Sequence, residues 1–485
     1  MKNFKSILLS CLCAVTILPT TACGGHTHEF SNTFSADELY HWNVATCCED
    51  VISTKTKHTY KNGKCSVCSY EIGTSYFMYD VLGVGMDETV SLQLSNSEFV
   101  KQVTYSTTSD VISIDATSGE ISGIALGTAE VSASITYEDN STSTANCTIE
   151  VNNGIYETLT MEENFVKWVG RNFVYSQSVN CFNTASGFET VFYGTQLKAN
   201  ITSGGSQTPR ICVLIDEQTS PSEKVIDLSK NKQTQEVVLA DGLTEGYHTV
   251  KVYKITEASH NSLSVNSLQT DGFFHAKPET KKLKIEVYGD SITTGYKNLK
   301  EVPNDDDVVN EKRQNGCLTY AWLAAQSLNA EINVIAHSGI GLNYSQGFDY
   351  LMKDAWDDTY CSANNFLGYN NVNPTWNFKN YVADIVIINI GTNDYYIKSS
   401  SITTTYRDSI GTLCNNLQKK HGDNVKIVFV YGLMTSGNAA PLKDLAARID
   451  SAYAIELEKS AQGHPTALEH TSAAATLTAF LQEII

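Results

Sequence analysis

Two things are scarce in this sequence: proline, with 8 residues in 485, and positive charge, with 34 Lys and Arg against 53 Asp and Glu. So few prolines, beside 42% apolar residues, exclude a proline-rich or disordered chain. The formal net charge of -19 argues against a phosphate-binding surface, which needs clustered cations to release counterions, so no nucleic acid is expected as a partner. Long apolar runs are absent after the first residues. Crossing a bilayer takes about 18 or more of them in a row, so no later segment is expected to span a membrane. Of the 13 cysteines, Cys11, Cys13 and Cys23 fall in the N-terminal leader, and the others are scattered without the spacing of a disulfide framework, except near the N-terminus. What is abundant is Tyr, 25 against 17 Phe, a composition suited to a folded, strand-rich, secreted protein. A chain of 485 residues is too long for one core and predicts several domains.

The chain starts "MKNFKSILLSCLCAVTILPTTACGG": Lys2 and Lys5, an apolar run from Ile7 to Leu18, then small residues. That order predicts an export signal over 1–22. "TTAC" resembles a bacterial lipobox, in which Cys23 is acylated, although Thr20 stands where Leu is usual. Ordinary cleavage and release is the other reading. The expected location is extracellular or at the cell surface, with membrane attachment through a lipid on Cys23.

Residues 26–70 concentrate soft ligands: His28, His41, Cys47, Cys48, His58, and "CSVC" with Cys65 and Cys68. One C-x-x-C with nearby Cys and His can supply four tetrahedral zinc ligands, and so short a segment needs a staple. It resembles the short Cys/His modules near the start of some bacterial surface proteins, with Ala45 where a first cysteine is usual. Either a structural zinc held among His28, Cys48, His58, Cys65 and Cys68 or a disulfide from Cys48 to Cys65 or Cys68 is expected, the two standing equal. Residues 75–152 alternate with period two, as at Val131, Ala133 and Ile135, which predicts a small β-sandwich. "VTYSTTSDVISIDATSGEISGIALGTAEVSASI" resembles the bacterial immunoglobulin-like group 2 domains. Residues 155–275 form a second β-rich block, with Leu197, Ala199 and Ile201 alternating, and Arg171, Asp216 and His248 conspicuous within it.

From 282 to 485 the rhythm changes. Apolar runs at 283–288, 332–336, 384–390 and 425–432 alternate with helical stretches near 317–328, 402–420, 441–459 and 467–484. Strands alternating with helices predict a parallel sheet covered on both faces, whose function collects at the carboxyl ends of the strands. The segment from about 345 to 376 reads as loop material over that rim.

Three of the strands end in unusual polar groups: "GDS" at 289–291, "HSGIG" at 337–341 and "GTND" at 391–394. "GHP" at 463–465 precedes the final helix. Together they supply what acyl transfer needs: a hydroxyl nucleophile at a tight turn, an imidazole base and donors for an oxyanion. Ser291 is the candidate nucleophile and His464 the base. The N–H groups of Ser291 and Gly339 and the side-chain amide of Asn393 are the candidate oxyanion donors. His470 is the rival base, Asp290 and Asp394 brace turns, and Tyr395, Trp376 and His337 are candidates for contact with substrate.

These four blocks, in this order, resemble the SGNH (GDSL-like) hydrolase superfamily over about 200 residues. "WVGR" at 168–171, "YGTQLKANI" and "EGYHTVKVYK" resemble the N-terminal jelly-roll domain of carbohydrate esterase family 2. The resemblance implies a three-layer α/β SGNH hydrolase domain with a parallel sheet, preceded by jelly-roll and immunoglobulin-like β domains. It also implies a serine esterase that removes acetyl groups from acetylated oligo- or polysaccharides such as xylan, with no catalytic cofactor. One departure stands out. The superfamily usually places an Asp two or three residues before the catalytic His, and here those positions hold Gln462 and Ala461. That leaves open a surface glycan-binding protein with a weakened hydrolase domain, and, independently, an SGNH esterase directed at lipids or thioesters.

Overall fold

Alternating apolar residues build the N-terminal part of the protein. Along Gly127–Tyr137 the residues Ala129, Val131, Ala133, Ile135 and Tyr137 are buried, and those between them are exposed or half-buried, as a strand with one wet face requires. The structure, a computed structural model, describes residues 27–37, 39–48, 51–61, 63–71, 73–205, 207–231, 233–259, 261–299, 310–362, 373–398, 404–461 and 463–485. The expected leader and Cys23 lie outside them. The chain divides into two compact units: residues up to 76 with 94–103 and 134–144, and residues 77–93, 104–133 and 145–485.

The first unit carries the Cys/His segment. Phe30–Ala36 pairs antiparallel with Tyr40–Ala45, which pairs in turn with Thr56–Lys57, while Tyr60–Lys61 and Lys64–Cys65 form a small hairpin. The expected ligand set has to be corrected. His28 and Cys48 group with Cys47, whereas His58, Cys65 and Cys68 group with His41. The register explains the split, because Ala36 opposite His41 and Phe30 opposite Ala45 put His41 and His28 at opposite ends of one hairpin. The alternative disulfide from Cys48 to Cys65 or Cys68 does not form either, since every described cysteine is a free thiol.

The second unit begins with Val81–Gly85, paired in parallel with Thr148–Asn152, and a small sheet of Thr89–Ser91, Glu120–Gly123 and Ile112–Ile114. Two antiparallel sheets follow. One is built on Gly187–Gly194, Gly246–Lys254 and Arg210–Ile215, the other on Leu197–Gly205, Asn261–Thr270 and Gln233–Ala240. Phe188, Phe192, Ile201, Val250 and Val265 fill the core they share.

The C-terminal part holds five parallel strands in the order β2-β1-β3-β4-β5: β1 Lys284–Gly289, β2 Glu331–Ala336, β3 Ile385–Asn389, β4 Lys426–Gly432 and β5 Ala452–Leu457. Its helices are α1 Ser291–Thr294, α2 Tyr320–Ser327, α3 Met352–Ala355, α4 Thr392–Lys398, α5 Thr404–His421, α6 Ala439–Ala446 and α7 Ala467–Ile484. Successive strand residues serve two different cores. Ile285, Val287, Ile387 and Val430 pack with α2 and α7, and Tyr288, Ile388, Phe429 and Tyr431 pack with α5 and α6. The helix expected over 441–459 is another correction: α6 stops at Ala446, and 452–457 is a fifth strand. Leu442, Leu445, Ile449 and Ala452 happen to continue a helical period, but β4 offers an open edge to which Ala452–Leu457 hydrogen-bonds from Ile427 to Gly432. Tertiary pairing overrides the local pattern.

Arg171, from the loop after Val166–Val169, enters the C-terminal core and is fully buried. Its guanidinium lies 3.0 Å from Glu286 on β1 and donates to the Tyr288 hydroxyl at 2.5 Å and to the carbonyls of Trp356 and Asp358 at 2.9 and 2.7 Å. His421 Nδ1 accepts the Ala383 N–H at 3.0 Å, so its Nε2–H donates to the second Glu286 oxygen, also at 3.0 Å. Burial opposes the charge on Glu286, yet Arg171 and the donors around it hold its pKa down at about 2. Removing one partner of a buried pair strands the other charge. Arg171→Met should therefore cost about 3–5 kcal/mol in denaturant unfolding, and adding Glu286→Gln should recover part of it.

Candidate active site

The order β2-β1-β3 makes the loops after these strands neighbours, because Gly289 lies opposite Ala336 on one side and Asn389 on the other. The crevice beyond those carboxyl ends is where an open α/β sheet reverses its order and binds ligands. The "GDS" turn, the Gly339 turn and Asn393 all lie on this rim.

Asp290 is the N-cap of α1, its carboxylate accepting the Ile292 N–H at 3.0 Å, and Ser291 is the first helical residue. The capping task falls to Asp290 and leaves the serine hydroxyl for other work. His464 Nε2 stands 2.8 Å from Ser291 Oγ, across 173 residues of chain. The ring meets Tyr296 edge-on at 5.0 Å. Gly289 admits the turn because a Cβ there would fall 2.0 Å from the Thr293 hydroxyl. Gly339 turns with φ +84, a region that favours glycine. Among the described residues, no group accepts from the backbone N–H of Ser291 or Gly339.

The Asn393 side chain donates to the Ile340 carbonyl at 2.7 Å, which ties β3's loop to β2's and engages one of its two amide hydrogens. Asp394 braces the same loop by accepting the N–H groups of Leu342, Asn343 and Tyr344 at 2.7 to 3.1 Å. From the sandwich region, Glu257 accepts both the N–H and the hydroxyl of Ser338, at 2.8 and 2.7 Å, immediately before Gly339.

With no acid at 461, and with Gln462 outside the described residues, the His464 loop is held by Glu469 on α7. One Glu469 oxygen accepts the Ala461 N–H at 2.9 Å; the other accepts the Thr466 N–H at 2.7 Å and the Ser460 hydroxyl at 3.1 Å. Desolvation works against its charge, but these donors pull its pKa down to about 2. Thr466 and Glu469 form a capping box on α7, a signature legible as T-x-x-E. Sequence reasoning missed Glu469, Glu257 and Tyr296, and only Glu469 carried a local signal.

Three candidates are not part of the rim. His470 is buried, stacks on Tyr320 at 6.1 Å and takes the Tyr320 N–H on Nδ1 at 3.2 Å, so it caps α2. Trp376 is 7% exposed and faces Arg171 at 5.7 Å, which makes it core packing beside the Arg171 cluster instead of a sugar platform. His337 is 3% exposed, its Nδ1–H donating to the Ser338 carbonyl at 2.7 Å and its ring against Phe348, so it supports the Gly339 turn from within. Tyr395 stays half-exposed, packed over Gly437.

Two outcomes follow from these groups. Burial pushes the Asp290 carboxyl up to about 7, against the lowering effect of the Ile292 N–H. The folded protein then keeps a proton that the unfolded chain loses from about pH 3.8, so this group's contribution to stability falls as pH rises from about 4 to 7. Asp290→Asn, which cannot ionise, should gain on wild type over that interval in urea titrations at successive pH values. Glu469→Ala should release the His464 loop, read as faster amide hydrogen exchange at Ala461 and Thr466 while the strands of the parallel sheet keep their protection.

Comparison with known proteins agrees with this geometry. Residues 168–278 match the family model "Carbohydrate esterase 2 N-terminal" and residues 285–471 match "GDSL-like Lipase/Acylhydrolase". The cellulase/esterase CelE of Acetivibrio thermocellus is 33% identical over 247 residues, 50% of this chain; the chain spans 28% of that protein's length. An acetylxylan esterase / glucomannan deacetylase of Cellvibrio japonicus is 26% identical over 314 residues, covering 61% of this chain and 82% of the relative. Among solved structures, a family two carbohydrate esterase from Clostridium thermocellum in complex with cellohexaose is similar at TM-score 0.56 and 27% identity, over 66% of this chain and 98% of that one. The two matches follow one another along the chain, a carbohydrate esterase 2 N-terminal region over 168–278 and a GDSL-like lipase/acylhydrolase region over 285–471, in the part that carries Ser291 and His464.

Proposed function

We propose that this protein is an exported serine esterase that removes O-acetyl groups from carbohydrates. The observation that carries the reading is the 2.8 Å hydrogen bond between Ser291 Oγ and His464 Nε2 on the rim of the parallel sheet. Ser291 attacks the acetyl carbonyl while His464 takes its proton, and the negative oxygen forms among the N–H groups of Ser291 and Gly339 and the Asn393 amide. Collapse breaks the bond from the acetyl carbon to the sugar oxygen, which takes the proton from His464 and leaves as a hydroxyl. Water, deprotonated by His464, then attacks the acetyl-enzyme, and acetate leaves with Ser291 restored. His464 is aimed by its strapped loop, whose two ends Glu469 gathers. The half-exposed Tyr395 is the remaining candidate for contact with a sugar ring. The names of the relatives, which include acetylxylan and glucomannan deacetylation, support the substrate class.

In this reading 1–22 is a signal peptide, and Cys23 carries a lipid that holds the protein at the cell surface. Residues 26–70 are a metal-stapled module, 75–152 an immunoglobulin-like spacer, 155–275 a jelly roll, and 282–485 a three-layer hydrolase domain. The chemistry proposed for Ser291 and His464 calls on no cofactor.

Hydrolysis of aryl acetate, aryl butyrate and acetylated xylo-oligosaccharides by wild type, Ser291→Ala, His464→Ala and His470→Ala tests this. Acetate release should fall by at least about 10³-fold in the first two variants. His470→Ala should act through stability and leave the pH profile of kcat unchanged. Acetate release that does not depend on Ser291 would sink the esterase reading, and a preference for butyrate would move the substrate to lipids or thioesters.

A further inference from the structure

Residues 27–71 bury very little. Among the described residues of this stretch only His41, Ala45 and Cys65 are buried, while Phe30, Phe34, Leu39, Val44, Ile52 and Val67 are exposed. So short a segment without an apolar core needs another source of stability. Two of its three buried residues carry metal-ligating atoms.

His41 on Tyr40–Ala45, His58 just after Thr56–Lys57, Cys65 at the end of its hairpin strand and Cys68 in the turn behind it converge, with all four ligand atoms within 4.8 Å of one another. Cys68 Sγ lies 3.3 Å from His58 Nδ1, and Cys65 Sγ lies 3.9 Å from His41 Nδ1. A tetrahedron with Zn–S near 2.3 Å and Zn–N near 2.0 Å has N···S edges of about 3.5 Å, a length that these two separations bracket. The surroundings are those of a ligand shell as well. His58 Nε2–H donates to the Asp37 carbonyl at 2.9 Å, which fixes the tautomer that leaves Nδ1 as the ligating nitrogen. Cys65 Sγ accepts the Val67 N–H at 3.5 Å, and Ser69 turns with φ 62, so the C-x-x-C turn brings both sulfurs to one side.

At the other end of the hairpin, His28, Cys47 and Cys48 form a separate group, again with ligand atoms within 4.8 Å. Cys47 Sγ is 3.7 Å from His28 Nδ1 and accepts the Glu29 N–H at 3.4 Å. His28 and Cys47 are exposed and Cys48 is half-buried, so this group is more open to solvent than the first.

We propose that the segment binds two zinc ions of different character. The first is a closed His41, His58, Cys65, Cys68 site that supplies the folding energy the missing core does not. The second is a solvent-exposed site that includes His28, Cys47 and Cys48 and whose ion exchanges readily. Each thiol gives up its proton to solvent as the ion binds, so zinc binding releases acid and weakens as pH falls.

The test uses the full chain, purified with zinc in the buffer and dialysed, with metal counted by mass spectrometry and thiols mapped by alkylation. The expected result is two zinc ions per chain, one of which a weak chelator removes. Cys65 and Cys68 should stay protected from alkylation until a strong chelator is added. Cys47→Ser should lose the readily exchanged ion only. Cys65→Ser should lose the retained one, whereas Cys68→His, which keeps a ligand, should hold it if the loss in Cys65→Ser comes from the missing ligand. A cobalt-loaded sample should show the intense visible bands of a tetrahedral thiolate site. A metal-free chain after purification with zinc, or a Cys65–Cys68 disulfide, would overturn the proposal. A single zinc unaffected by Cys47→Ser would overturn the second site.

Discussion

The contact between the Arg171 guanidinium and the Glu286 carboxylate, both wholly buried, is the constraint on which the hydrolase part of the molecule depends. Arg171 comes from the sandwich region and Glu286 from β1, the strand that ends at Ser291. Neither charge is tolerable alone in an interior, so each element is stable only where the other is present. The remaining donors of Arg171 hold the carbonyls of Trp356 and Asp358 and thereby anchor the segment between β2 and β3 near its middle. His421, accepting from Ala383 and donating to Glu286, ties the end of α5 to the same point. A hydrophobic cluster that includes Val169, Leu214 and Ile255 of the sandwich with Ile285 and Val287 of β1 joins the two regions by area as well as by charge.

With the sheet held this way, the site is assembled from loops that each do one thing. Asp290 caps α1 and leaves the Ser291 hydroxyl to His464. Asn393 and Asp394 spend hydrogen bonds on the Gly339 loop, and Glu257 holds its first residue from the sandwich side. The loop that carries His464 lacks the aspartate expected just before the histidine, and the carboxylate of Glu469, from five residues after it, gathers both ends of that loop. A charge placed on the backbone around the base can fix the position of the ring, while the tautomer is left to what meets Nδ1.

Much of this was legible in the sequence. The "GDS", "HSGIG", "GTND" and "GHP" groups identified Ser291, Gly339, Asn393 and His464 because local residue chemistry and chain order are enough to mark strand-end turns. The run after α6 was misread because its apolar spacing suits a helix, and only the open edge of β4 makes it a strand. Trp376 and His337 carried the residue types of a binding site, yet both are buried packing. Composition cannot distinguish an aromatic at a rim from one beneath it.

Local residue chemistry sets the strand and helix periods over most of the chain, the turn glycines, the order of the strand-end polar blocks and the concentration of Cys and His before residue 70. The pairings come from the folding of distant segments onto one another. That folding joins Arg171 to Glu286, Glu469 to the His464 loop, and His41 instead of His28 to Cys65 and Cys68. The physical reason is range: propensity and periodicity act over a few residues, whereas a buried charge, a ligand tetrahedron or a proton-transfer pair depends on which distant segments share the same interior.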